Sequence, residues 1–337
     1  LWILIRLNVL SQLYTPAKKI KLSPKPVYQE FCRDHAVPAF NHPWWLDAVC
    51  GPDNWGVALA EDKKGELVAA LPYHIRRVRG IPFLLTPPLT PYLGLWRYEA
   101  YDSQSLADQF TFDRQVIPQL LEQLPGHWGH IQKLHHSTKN WMPFLWKGFQ
   151  AQLRYHFIVP GLSDMDTVRR RFNRSVRYSI KEGENVLVAE ESRDLSTLMS
   201  IIEHTFDRQG LAAPVTLSLL QQMDGPARSH GNVQLLLARH QDGTVHSGVY
   251  LMHTEGVTYP ITAGNGKGAR ESGAFPWLMW QSMQAGTGYG SKAFNFCGST
   301  MPNVAPVLNG FRALPVPYFE IYRARYRWAT PFLQWLL

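Results

Sequence analysis

GNGKGARESGAFPWLMW, residues 264–280, decides how this chain is read. An aromatic, strand-like run leads into it, and a strongly apolar segment that opens with Pro276 follows. Strand, small-residue loop and helix is the implied order. At the start of a helix the backbone N–H groups lack partners and carry partial positive charge. Gly264, Gly266, Gly268 and Gly273 would let a ligand come close to the backbone. Pro276 suits a first helical turn, where its missing N–H is no loss. Lys267 and Arg270 add full charges. Two readings fit the stretch: a cradle for phosphate or carboxylate, or a basic, Gly-rich hairpin exit.

The segments around it are regular. NVQLLLARHQDGTVHSGVYLMHTEGVTYPITAG (232–264) reads as three strands joined by turns at DG and EG. FNFCGS (294–299) reads as a strand, VAPVLNGF (304–311) as a short helix and VPYFEIYRARYRW (316–328) as a final strand. If FNFCGS alternates, Asn295, Cys297 and Ser299 share one face and Phe294, Phe296 and Gly298 the other. That face would align an amide, a thiol and a hydroxyl. Cys297 equally suits a small buried hydrophobe, and Asn295 and Ser299 equally suit caps or turns.

Upstream, VRRRFNRSVRYSIK (168–181) repeats apolar residues every fourth position, at Val168, Phe172, Val176 and Ile180. One helix over 164–182 is expected, with Arg170, Arg174, Arg177 and Lys181 on its other face. That face is either a solvated surface or a cationic rail for a polyanion. A strand (ENVLVAEES), a helix from Asp194 to Gly210 and a second helix over 217–223 follow. The first half runs in a similar order: a helix at WWLDAVC (44–50), strands at 55–61 and 66–78, a Pro-rich loop ending at PYLG, a helix at 112–124, a strand at 130–136, a short helix at 140–149 and a strand at 151–159. Residues 15–27 read as an exposed lead-in. Two α+β domains meeting near residue 160 are the economical reading, with no residue-level repeat between them.

The bulk numbers fit this. With 337 residues, 45% hydrophobic and 18% charged, the chain can build real cores and is not disordered. A net charge of +8 points to an anionic partner. Three scattered Cys exclude a disulfide framework and fit a reducing, cytoplasmic compartment. The absent initial Met points to a fragment or an unusual start. No apolar run reaches membrane-spanning length, leaving at most peripheral membrane contact. The four His of HWGHIQKLHH (127–136) lack acidic or Cys partners, so no metal site is expected. HExxH, GxSxG, P-loop and GxGxxG patterns are absent.

RESGA (270–274) resembles the R-x-x-G-x-G/A segment of the GNAT acyltransferases. The run from Tyr259 to Tyr322 is similar to the C-terminal domain of the FemAB-like branch of that superfamily. VRRRFNRSVRYSIKEG resembles that branch's Arg-rich helix, and HPWWLDAV through PPLTPYLG its N-terminal half. The resemblance implies two tandem GNAT-like domains, each a mixed, mostly antiparallel sheet flanked by helices. It covers about residues 38–325; the order of elements gives a lead-in at 1–27, domains at 28–160 and 161–326, and a tail at 327–337. The resemblance also implies an enzyme that moves an acyl group from acyl-CoA, or an aminoacyl group from aminoacyl-tRNA, to an amine on a small molecule or precursor. DNA is not an expected partner. Lys267, Gly268, Arg270, Gly273 and Ala274 would hold the donor phosphates. Strand residues 259–262 would hold the acyl group. His246 is the candidate base, with Tyr259 or Ser299 returning a proton. Arg170, Arg174, Arg177, Lys181, Trp45, Tyr92 and Asn295 are candidates for substrate or polyanion contact. A non-catalytic polyanion-binding module on the same fold is the other reading.

Overall fold

A computed structural model of the protein describes residues 24–298 and 304–335. The chain forms two compact units. One takes in residues through Pro87, Tyr92–Gln152 and the chain from Phe319 on; the other takes in Pro88–Pro91 and Leu153–Tyr318.

The first unit opens with helices α1 (Pro24–Asp34) and α2 (Pro43–Cys50). The end of the expected lead-in, residues 24–27, is thus helical; its Lys25 lies 4.0 Å over the Trp55 ring. Strands β1 (Trp55–Glu61), β2 (Leu67–Val78), β3 (Ile81–Leu85) and β4 (Trp96–Arg97) come next. Helix α3 (Leu106–Glu122) starts six residues before the expected 112, because Ser105 caps it by accepting from the Asp108 amide. Then follow β5 (Gly129–Lys133), α4 (Met142–Trp146) and β6 (Gln150–Pro160).

In the second unit the single helix expected over 164–182 is two: α5 (Met165–Arg171) and α6 (Arg174–Val186). Asn173 starts the second by accepting from the Val176 amide at 2.8 Å. Asn competes well for that non-helical position, so the chain breaks although the apolar stripe runs on. Val168, Phe172, Val176 and Ile180 are all buried. Strand β7 (Leu187–Ser192), helices α7 (Leu195–Asp207) and α8 (Leu217–His230), strands β8 (Asn232–His240), β9 (Val245–Thr254) and β10 (Val257–Asn265), helix α9 (Ala274–Gly288), strand β11 (Ala293–Asn295), helix α10 (Ala305–Gly310) and strand β12 (Leu314–Ala324) complete the order.

Each unit has its own run of strands. In the first, β1, β2, β3, β5 and the Glu320–Ala324 part of β12 lie side by side, with β4 on β2. Only β3 and β5 are parallel. In the second, the order is β6, β11, β10, β9, β8, β7, with only β10 and β11 parallel. Mixed, mostly antiparallel sheets flanked by helices are the expected fold class.

The second unit's core packs α6 and α9 together beside the sheet. Gly183 of α6 faces Trp277 of α9 so closely that a Cβ there would lie 2.5 Å from the ring. That close approach buries Trp277, Leu278 and Trp280 with Ile180 and Phe172. Burying one such aromatic contributes about 2–3 kcal/mol. Helix α7 covers the other side: Gly264 of β10 would put a Cβ 2.6 Å from the Ile202 backbone nitrogen. Among the described residues no helix is long and apolar enough to cross a membrane.

Asp194 caps α7 as its residue type implies. Its carboxylate accepts from the amides of Ser196 and Thr197 and from both hydroxyls. These bonds, led by the Ser196 hydroxyl, hold its pKa down from 3.8 to about 2. A depressed carboxyl stabilises the fold above its unfolded pKa and loses that stabilisation as pH falls through the folded value. The cap is therefore fully present above about pH 4 and lost near pH 2. Asp194→Ala should lower stability by about 1 kcal/mol at pH 7 and have little effect at pH 2. Urea unfolding at the two pH values checks this.

Candidate active site

Strands β10 and β11 pair in parallel at only two positions, Val257 with Ala293 and Thr258 with Phe294. Strand β11 then stops at Asn295, while β10 continues to Asn265. On the other side of β10 the register to β9 slips between Pro260 and Thr262. Ile261 is the extra residue of that bulge, left outside the ladder. The result is a notch in the sheet, edged by Tyr259–Thr262.

The chain after β11 borders this notch. Cys297 takes a left-handed φ of 60°. Its amide donates to the Asn295 side chain at 2.9 Å, and its sulfur lies 3.9 Å from the Pro260 carbonyl oxygen. The alternation expected through residue 299 therefore ends at Asn295. Asn295 is buried and builds the turn that ends the strand, instead of sharing a face with Cys297. Gly298 follows at φ 76°, where a Cβ would overlap the Tyr155 carbonyl. Ser299 lies outside the described residues. Tyr259 is 2% exposed and pairs with Met252.

The loop between β10 and α9 differs from the expected cradle in a specific way. Its glycines meet protein. A Cβ on Gly266 would lie 2.7 Å from the Val245 carbonyl, one on Gly268 would lie 2.8 Å from the His246 ring, and one on Gly273 would lie 2.4 Å from the Ser179 carbonyl. The amides at the helix start are also engaged. Gly273 donates to the Arg270 carbonyl and Ala274 to the Ala269 carbonyl. Neither N–H is open to a ligand, contrary to the cradle expected at Gly273 and Ala274. Among the described residues, no hydrogen bond is formed by the amides of Lys267, Gly268, Ala269, Arg270, Glu271 and Phe275. Lys267 and Arg270 are exposed. Apart from that of Phe275, the amides left without acceptors lie in the loop before the helix, not at the helix start.

His246 supports this loop. Its Nδ1 meets the Ser272 hydroxyl at 2.8 Å, and that hydroxyl donates to the Gly268 carbonyl. Its own carbonyl accepts from Gly266. Burial, helped by neighbouring His240, pushes its pKa down. Along β9, His246 stands five residues from Leu251, the partner of Pro260. At about 3.4 Å per residue that is some 17 Å from the notch. The fold brings His246 to the loop and not to the notch.

The basic residues divide similarly. Arg177 donates to the carbonyls of Arg170 and Phe172 and so closes the C-terminal end of α5. Arg170 bonds the Thr167 hydroxyl at 2.6 Å. Arg174 and Lys181 are exposed on α6. In the other unit Trp45 has no accessible surface and packs edge-on against Phe40, as core. Tyr92 is 2% exposed and lines a pocket of about 310 Å³ with Asn41, Trp96, Tyr98 and His135.

The fold also brings together two groups of side chains that no sequence motif marks. His156 of β6 lies two residues from Ile158, the partner of Asn295, and stacks on Tyr318 at 4.3 Å. Nothing in its strand-like surroundings singled it out. His240, Asp242 and His246 also cluster within metal-ligand distance of one another. Yet the two rings stack at 4.7 Å and 9°, so their in-plane lone pairs do not meet at a point. Asp242 is already engaged by the Thr244 amide and hydroxyl and by His240. The trio builds a hairpin turn.

A family model described as an acetyltransferase (GNAT) domain matches residues 167–302, which hold both notch and loop. Comparison with curated proteins found no match. The solved structure of FemX is similar over 95% of this chain and 100% of its own, at 12% identity and a TM-score of 0.62. The structure of L-PGS from Bacillus licheniformis is similar over 93% of this chain and 95% of its own, at 13% identity and a TM-score of 0.53. At such identities the likeness is one of fold. The two-residue parallel pair, the bulge beside it and the loop leading into α9 all fall inside the segment that matches a GNAT acetyltransferase domain, and the fold of the chain is similar to that of FemX.

Proposed function

We propose that this protein transfers an acyl group from a phosphate-bearing, acyl-CoA-like donor to an amine. The observation that carries the reading is the notch: strand edge 259–262 opens beside a loop in which the amides of residues 267–271 are without acceptors among the described residues. The donor's phosphates bind the 267–271 amides with Lys267 and Arg270. Its carbonyl enters the notch, where the unpaired backbone at Ile261 stabilises the tetrahedral oxyanion. The amine nitrogen forms the new C–N bond, the C–S or C–O bond to the donor breaks, and the amine's proton passes to the leaving group. Tyr259 or Ser299 relays that proton. His246 holds the loop in shape. Orientation of a bound amine against an activated ester supplies much of the rate.

One observation favours a second reading, in which the donor is aminoacyl-tRNA. The full-length fold likeness is to FemX and L-PGS, and this chain carries exposed cations at Arg174 and Lys181. In that case binding weakens steeply with salt.

Arg270→Ala should weaken binding of a labelled donor by about tenfold, the loss of one charge-assisted contact. Titration of acetyl-CoA and of aminoacyl-tRNA separates the donors. Unchanged affinity for both removes the loop from the mechanism, and a flat salt response removes the tRNA.

A further inference from the structure

The first unit holds a cavity of about 640 Å³ with a cationic wall. Three chain segments build it. Leu121, Leu124 and Pro125 come from the end of α3 and the turn after it. Lys147 follows α4, and Arg323 and Arg325 stand at the end of β12. His127 completes it. No carboxylate lines the cavity among the described residues.

Arg323 carries the argument. It is half-buried, and its guanidinium makes one hydrogen bond among the described residues, to the Lys147 carbonyl at 2.9 Å. Its guanidinium carbon lies 4.6 Å over the Phe149 ring, and the side chain lines the cavity. Burial depresses its pKa with no acid to offset it. His127 is held by a bond between Nδ1 and the Pro125 carbonyl at 2.8 Å, which directs Nε2 away from that carbonyl. Lys147 pairs with Glu122 at 2.7 Å at the rim, where both are partly solvated and the pair is weak. A desolvated cation without a counter-ion is costly in a structural role. Here it stands beside two further cations in a hollow of ligand size.

We infer that this cavity binds the phosphate of a small organic phosphomonoester, whose apolar body rests on Leu121, Leu124 and Pro125. Arg323 would take two phosphate oxygens through its planar fork, with Lys147 and Arg325 adding charge. All its residues belong to the first unit, whereas the donor loop belongs to the second.

Calorimetric titration of the full chain with phenyl phosphate and with inorganic phosphate tests this, at low ionic strength. Phenyl phosphate should bind several-fold tighter than phosphate. Arg323→Met should weaken it at least tenfold, and Lys147→Gln, at a partly exposed position that leaves the fold intact, about threefold. Arg270→Ala should leave it unchanged. Equal affinity for the two probes limits the site to free phosphate and overturns the organic assignment. Binding that survives both Arg323→Met and Lys147→Gln, or that disappears in Arg270→Ala, overturns the site.

Discussion

Gly273→Ala should lower the unfolding free energy by about 2–5 kcal/mol, and donor affinity should fall with it. Two effects add. The residue sits at φ 63°, a left-handed conformation that costs a residue with a Cβ about 1–2 kcal/mol. The new methyl would also lie 2.4 Å from the Ser179 carbonyl of α6. Relieving that clash means moving one helix against another in a close-packed core, an overpacking cost of about 1–3 kcal/mol. Any shift also pulls on the Gly273 and Ala274 amides that tie the loop to Arg270 and Ala269. Gly243→Ala is the control. It has φ 86° but nothing within 4 Å, so it carries the backbone cost alone. Urea unfolding of both variants separates the terms. Equal losses at the two positions would mean that α6 yields without resistance.

The other large effect belongs to the first unit. Arg97→Met should cost about 3–5 kcal/mol, because it strands a buried carboxylate. Arg97 grips Asp113 with two bonds, at 2.8 and 3.1 Å, and the Tyr101 hydroxyl adds a third at 3.0 Å. Side-chain exposure is 8% for Arg97 and 1% for Asp113, so water cannot replace the lost partner. The double variant Arg97→Met with Asp113→Leu should recover most of the loss, since it removes the stranded charge. Thermal and urea unfolding of the single and double variants test this. A single variant within 1 kcal/mol of the parent would show that the carboxylate finds another partner.

Much of this architecture is legible in local chemistry. The short apolar run WGVALAE, closed by the DKKG turn, marks β1, which spans Trp55–Glu61 as expected. The turns at DG and EG separate β8, β9 and β10. Asp194 announces the start of α7, because a short carboxylate satisfies helix-start amides wherever it occurs. The apolar stripe through Val168 and Ile180 is buried although the helix carrying it breaks. The break is also written locally, in Asn173, whose side chain accepts from the Val176 amide and starts a new helix inside the apolar stripe.

The candidate site was legible only in outline. The run at 264–280 announces a strand, a small-residue loop and a helix, and both RESGA and the aromatic strands around it carry the GNAT resemblance. Residue types alone determined that much: small residues, a first-turn proline and two cations are properties of the chain itself. Which amides remain open, and why each glycine is a glycine, was decided by partners far away in sequence. Ser179, Ile202, Val245 and His246 press against the loop and its strand, so the missing Cβ atoms make room for protein. The same holds for His246, whose residue type suits a base but whose strand register sets it beside the loop. A side chain's chemistry is intrinsic and can be read in order along the chain. Its neighbours are set by packing among segments tens of residues apart, and only the folded structure decides them.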